Sequence, residues 1–353
     1  LKQGTIALEV MKYFCTSAAG LIADIIPDPT LQNVLAGSAL LYGGLKDVST
    51  FYQHAMINHS YIEGAYRFVD GSMQVSLELI NVIRKNGGTV LNNSEVTRII
   101  VENEKVQGVI INGEERLESE SVISGIHPKR MLEILDKSRS IKNAYISRIS
   151  SLENTYGIFT LYLVMKKKSL PYQNRNLYLH GDNEVWYDKQ QYPGQTTNCM
   201  ISMQASSEDS QYAGIVSILT PMYMNELSEW KDTAPERRGE SYRKFKREKA
   251  QQILRFIQEH GIDFSDCIEE IHTTTPLSYR DYTGTEEGSA YGIIKDYKCP
   301  QIGFVSTRSR LGNLFLTGQN LNVHGALGVT LTAMLTCVEF VGQEYLAKKV
   351  GNA

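Results

Sequence analysis

Apolar positions fall into three rhythms along this chain. Over residues 74–85 they recur with a helical period, Val75, Leu77, Leu79, Ile80, Val82 and Ile83 sharing one side, and Asn86-Gly87-Gly88 closes the helix. Shorter runs alternate or are wholly apolar and predict strands at 89–91, 95–101, 105–111, 116–121 and 121–125, with Asn112-Gly113 marking a two-residue hairpin. The same signals predict strands at 156–166, 176–180, 184–187, 196–204, 213–219 and 267–274. Charged amphipathic residues 236–260 read as a long helix whose mixed charges face solvent. The third rhythm is an almost uncharged helix at 326–338. Leu327, Val329, Leu331, Ala333, Met334, Leu335 and Val338 cover every side of it, which predicts burial deep in a domain. It is too short to span a bilayer.

Before residue 66 the pattern is helical and irregular. Residues 5–26 read as an amphipathic helix, Pro27-Asp28-Pro29 ends it, and a second helix starts at Thr30. His54 and His59 are five apart, a poor spacing for one helix face, and are set aside as a metal pair. His127-Pro128 opens a helix after the strand ending at Gly125. Residues 278–292 show neither period and are rich in tyrosine and glycine, so they read as a loop walling a ligand.

The most chemical stretch begins at Leu314. An apolar strand, Leu314-Phe315-Leu316-Thr317, meets Gly318, then the polar turn 319–324, then Gly325 and Gly328 at the mouth of the apolar helix. Such a helix start offers free N–H groups and a favourable dipole to an electron-rich ligand, and glycine admits a close approach.

Composition narrows the classes. A formal charge of −3 gives no electrostatic ground for nucleic acid. Five scattered cysteines without C-x-x-C spacing indicate free thiols in a reducing compartment, and neither they nor the histidines have metal-ligand spacing. At 353 residues the chain can hold two domains. It starts at Leu1 with no signal peptide, which reads as a fragment or a processed product.

Several motifs coincide in order: Val69-Asp70-Gly71-Ser72 before a helix, Glu95-Val96-Thr97-Arg98-Ile99, Val106-Gln107-Gly108-Val109, and Val122-Ile123-Ser124. Thr274-Thr275-Pro276-Leu277, Gly288-Ser289-Ala290-Tyr291-Gly292, and 313–318 followed by 325–329 complete the set. From residue 60 onward the chain resembles the phytoene desaturase, carotenoid isomerase and retinol saturase group of flavin-dependent oxidoreductases, relatives of the amine oxidases. The resemblance implies an α/β fold, with a Rossmann-like FAD-binding domain from residues 68–135 and 300–349. A second, mixed-sheet α+β substrate domain would come from 1–67 and 136–299.

It implies FAD as cofactor. Val96 would pair its backbone with the adenine, and Gly318 and Gln319 would lie beside the pyrophosphate and ribityl chain. Gly325, Leu327, Gly328 and Val329 would face the isoalloxazine edge, and Tyr279, Arg280, Tyr282 and Tyr291 would lie near ring or substrate. Gln319 departs from the carboxylate common at its position. The N-terminal G-x-G-x-x-G of the family does not occur in these 353 residues, so the dinucleotide domain is expected to be incomplete at its N-terminus. The implied activity is hydride transfer at flavin N5 to or from a long apolar isoprenoid or polyene, by desaturation, saturation or isomerisation, with no general acid or base assignable. His324 beside the turn reads equally as a structural histidine bonded to backbone. A non-catalytic carrier of hydrophobic ligands and an amine-oxidase-like enzyme are the alternatives. Cytoplasmic location with contact at a membrane surface follows from the substrate class alone, and the sequence does not address oligomeric state.

Overall fold

The computed structural model describes residues 11–181, 185–187 and 194–351. Its largest layer is a five-stranded antiparallel sheet, ordered β6-β7-β8-β5-β9. The strands are β5 (Gly157–Met165), β6 (Asn176–His180), β7 (Asn198–Ala205), β8 (Ala213–Met222) and β9 (Ile268–Thr274). Alternation decides which residues go inside. Phe159, Leu161, Leu163, Ile201, Val216 and Ile218 point to one face and are almost fully buried. The helix Gly239–Glu259 covers that face with Ile253, Phe256 and Ile257, while its exposed side carries pairs such as Arg247 with Glu240 (2.6 Å). The long charged helix is thus a solvated cover, as its charge pattern predicts.

The preceding helices, in chain order, are α1 (Ala18–Ile25), α2 (Pro29–Ala36), α3 (Phe51–Glu63), α4 (Met73–Lys85), α5 (Pro128–Ile134) and α6 (Asn143–Ser150), which makes Gly239–Glu259 α7. Ser17, Asp28 and Thr50 cap the first three by accepting backbone N–H bonds. α1, α2 and the 3-10 turn Ala39–Tyr42 form a small core with Val185 and Trp186, and α3 packs against it. His54 is buried there with Nδ1 3.0 Å from the Tyr42 hydroxyl. The part of the expected first helix before residue 11 lies outside the described residues.

A second core joins β1 (Val96–Glu102), β2 (Lys105–Ile111), β4 (Val122–Ser124) and β10 (Leu314–Leu316) with α5 and α6. β1, β2 and the short β3 (Glu115–Glu118) form an antiparallel meander, and Asn112 and Gly113 turn the hairpin with positive φ. Two last helices follow β10, namely α9 (Gly325–Val341) and α10 (Gln343–Gly351); α8 (Pro276–Thr283) precedes it. β10 pairs with β4, in parallel, with Leu314 opposite Val122 and Leu316 opposite Ser124, and on its other side an isolated bridge joins Phe315 to Arg308.

Four expectations need correction. Residues 89–91 form no ladder among the described residues, although their composition suits a strand. Residues 185–187 are irregular, and residue 184 of that expected strand is outside the described set. Residues 278–283, the first part of the stretch 278–292 read as loop, belong to α8. Pro276 starts it and Thr275 with Ser278 make a capping box, signals masked by reading Thr275-Pro276 only as a strand end. Finally, α9 is not buried deep. Only Gly328, Thr332 and Thr336 are buried, on the side that meets β10, while Leu327, Leu331 and Leu335 are 51%, 41% and 50% exposed.

Candidate functional site

The site grows from two strand ends lying side by side. β4 and β10 run parallel, each followed at once by a glycine turn, Gly125 and Thr317-Gly318. The Thr317 N–H donates to the Ser124 carbonyl (2.9 Å), which extends the ladder to the turn. Gly318 has φ of +100° and faces the Gly125 carbonyl, 3.2 Å from where a Cβ would stand, so a side chain there is strained and crowded. The carboxyl ends of parallel strands beside a helix start are where open α/β sheets take ligands.

α9 begins here. His324 is its N-cap residue but no side chain caps the helix, so its first N–H groups keep their unmet hydrogen-bonding capacity. Gly325 has φ of +75° and nothing within 4 Å of its Cβ position, leaving room for a ligand. Gly328 has another reason to be glycine: a Cβ would come 2.1 Å from the Val323 carbonyl oxygen. It is required by the turn folding onto the helix, a packing role that the glycine pattern alone does not distinguish from ligand approach. Two buried polar atoms lie at this end without a partner among the described residues, Ser124 Oγ and Asn320 Oδ1. Gln319 is half-buried in the turn.

The neighbouring loop supplies an aromatic wall. The Tyr291 ring centroid is 4.7 Å from that of His324 and 6.3 Å from that of Tyr156, while Tyr187 and Tyr223 stack at 5.6 Å. Burial first, then the nearby Tyr279, Tyr178 and Tyr61 phenols, hold the Tyr291 hydroxyl far above its usual range, so it stays protonated. His324 donates from Nε2 to the Leu41 carbonyl (3.0 Å) when it carries that proton, and burial lowers its pKa to about 4. It is therefore neutral at pH 7 and anchored to backbone, the structural role weighed from the sequence.

The structure brings some expected site residues together and leaves others apart. Gly318, Gln319, Gly325, Leu327, Gly328 and Val329 gather along one turn and helix start, and Tyr291 reaches them through His324. Tyr279 lies on the sheet floor, its hydroxyl 3.4 Å from Thr160 Oγ1. Arg280 is instead engaged with Asp281 (3.0 Å) and the Lys231 carbonyl, and Tyr282 is 83% exposed. The reason is α8: helical periodicity turns these neighbours to different sides, where a loop places no such constraint. Val96 opens β1, with Ile111 as its ladder partner.

Sequence reasoning missed Lys295. It is buried, without a carboxylate partner among the described residues, and its ammonium donates to the carbonyls of Gly303, Asn320 (3.3 Å) and Leu321 (3.2 Å). Burial, with a smaller push from Arg148, lowers its pKa to about 7. It ties the 319–324 turn to the chain following Tyr291. A single lysine in the apolar run Gly292-Ile293-Ile294-Lys295 was the only signal for it.

No protein-family model matches the chain. In fold it is similar to an oxidoreductase from Methanosarcina mazei, with TM-score 0.59 and 13% identity, over 90% of this chain and 67% of that one. The chain thus shares its overall architecture with that protein. In sequence it is 24% identical to the all-trans-retinol 13,14-reductase of Danio rerio over 92% of this chain. An inactive all-trans-retinol 13,14-reductase of the same fish is 20% identical over 90% of this chain. The chain spans 57% and 56% of those two relatives.

Proposed function

We propose that these residues are the larger part of an FAD-dependent oxidoreductase acting on a long apolar isoprenoid or polyene. The observation that carries it is the uncapped start of α9 beside the paired ends of β4 and β10, faced by Tyr291. The residues fit the cofactor: free helix N–H groups, an open Gly325, and the orphaned Ser124 Oγ and Asn320 Oδ1 all call for a polar ligand. Gly318 and Gln319 would hold the pyrophosphate and ribityl portion, Val96 the adenine, and Leu327 to Val329 the ring edge. When bound, FAD supplies hydride transfer at N5. The chain's own part is to align an apolar substrate against that site, with Tyr279 and Tyr291 as its wall, and to keep water out. Arg280 and Tyr282 carry no part in this reading.

The division into a flavin domain (68–135, 300–349) and a substrate domain (1–67, 136–299) belongs to the same proposal. So does an incomplete dinucleotide sheet. The supports are the unpaired 89–91 segment and the exposed apolar sides of α4 and α9, which ask for a strand–helix–strand cover carrying the glycine motif. Neither the carrier nor the amine-oxidase alternative has an observation of its own in its favour.

Because one relative is named inactive, cofactor binding and not turnover is the first test. The visible spectra of this chain and of a version extended by the upstream reading frame should differ, the extended form showing bound flavin. A colourless extended protein sinks the oxidoreductase reading.

A further inference from the structure

On the face of the five-stranded sheet opposite α7 lies a cavity of about 430 Å³, between the C-terminal end of α3, the 65–67 segment and strands β6 and β7. Its walls are amphipathic. Tyr61, Tyr66 and Tyr178 supply rings, Asn58 an amide, and Arg67 and Arg175 two guanidinium groups. No Asp or Glu lines it, and among the described residues neither arginine has an ion-pair partner.

Arg67 is the centre of this site. It is half-buried, and Nη1 donates to Ser202 Oγ (2.7 Å) and to the Met203 carbonyl (2.8 Å), while Nη2 donates to Asn176 Oδ1 (2.6 Å). Those bonds hold the guanidinium rigidly against the sheet edge and leave Nε–H and one Nη2–H uncommitted. A partly desolvated cation held in place without an anion is costly in itself and well prepared to take one. Arg175 is held by Gln173 at 2.9 Å on the exposed rim and adds a second positive charge.

Beyond the cavity this face of the sheet is apolar and packed, Tyr178, Met200 and Leu219 sharing one cluster with Leu40 and Tyr156. Tyr178 stands across from Met200 in the β6–β7 ladder, Met200 across from Leu219, and Leu219 across from Thr160, which meets Tyr279. This row crosses the sheet toward Tyr291, whose ring touches His324 at the start of α9.

From this geometry we infer that the Arg67–Arg175 cavity binds the carboxylate head of an amphipathic apolar acid, its apolar part lying against the rings of Tyr61, Tyr66 and Tyr178. This inference does not rest on the oxidoreductase reading above.

The test titrates the full chain with all-trans-retinoate, its methyl ester and palmitate, following quenching of intrinsic fluorescence or, for palmitate, displacement of retinoate. Retinoate should bind about tenfold or more tightly than the ester at low salt, with the gap narrowing as ionic strength rises. Palmitate competing shows that the site reads any apolar carboxylate; failure to compete assigns it to the polyene. Arg67→Gln should abolish the preference for acid over ester and Arg67→Lys should keep part of it. Should Arg67→Gln misfold, the rim variant Arg175→Gln is expected to weaken the preference severalfold. Equal affinity of acid and ester for the unmodified chain overturns the inference. Flavin bound by the extended protein with no acid preference would sink the head-group site alone; an acid preference without flavin would sink the oxidoreductase reading alone.

Discussion

Two of the three sheets among the described residues meet their apolar residues in opposite ways. In the five-stranded sheet, every strand flanks another, and α7 closes the face that carries Phe159, Leu161, Leu163 and Ile218. The β4–β10 pair has two strands among the described residues, and α9, which meets it through Thr336 and Phe340, keeps a long apolar stripe in solvent, as α4 does elsewhere. Val75, Leu79 and Val82 of α4 are 41%, 60% and 55% exposed, and no residue of that helix is buried. The same kind of residue is core in one region and surface in the other. Amphipathicity states a demand for cover, and whether the demand is met depends on what packs there.

That contrast can be broken by mutation. Phe159→Ala should have the largest effect, about 3–5 kcal/mol of stability in urea unfolding, because a fully buried ring leaves a cavity between α7 and the sheet. Leu331→Ala on the open side of α9 should cost less than about 0.5 kcal/mol in this chain. Equal losses at the two sites would erase the distinction; a larger cost for Leu331→Ala in the extended protein would sharpen it.

Within the open region the two helix-start glycines should separate next. Gly328→Ala drives a methyl into the Val323 carbonyl and is expected to cost more than about 2 kcal/mol. Gly325→Ala meets no atom and bears only the left-handed φ, about 1 kcal/mol. In an extended protein that binds flavin, Gly325→Ala should in addition weaken flavin retention, which Gly328→Ala cannot reveal apart from folding. Equal stability losses for the two would refute the packing role given to Gly328.

The last expected effect is a slope. Lys295 has a folded pKa of about 7 against an ordinary lysine value of 10.5, so between those values the unfolded chain binds more protons than the folded one. Stability therefore rises with pH from about 7 toward 10.5 and is lost as pH falls from 10.5 to the folded pKa, by at most about 1.4 kcal/mol per pH unit. Lys295→Met should flatten that rise in urea midpoints measured across the window, even though it leaves three carbonyls short of a donor. An unchanged slope would show that Lys295 is not the group responsible.

Much of the fold was legible in order of chain. The hairpin at Asn112-Gly113, the strand 176–180, the charged cover helix and the opening of α5 by His127-Pro128 all follow from local stereochemistry and period. The turn 317–324 and its glycines were legible for the same reason. The site was legible only along that one stretch. Tyr291 joins it because its loop folds against His324, whereas Arg280, two residues from the equally expected Tyr282, turns to Asp281 because α8 is a helix. Lys295 and Arg67 carried no pattern, since a buried cation bonded to distant carbonyls or amides has its partners far away in sequence.

Local rules of the backbone thus fixed elements, turns and the glycines with positive φ, for their energies depend on near neighbours in the chain. Burial was decided only by tertiary packing. An all-round apolar helix signals a wish for cover on every side, yet α9 receives it on one, where Thr336 bonds the Leu316 carbonyl and Phe340 meets Phe315. Residues 89–91 have strand composition but no ladder, because a strand exists only with a neighbour to accept its hydrogen bonds.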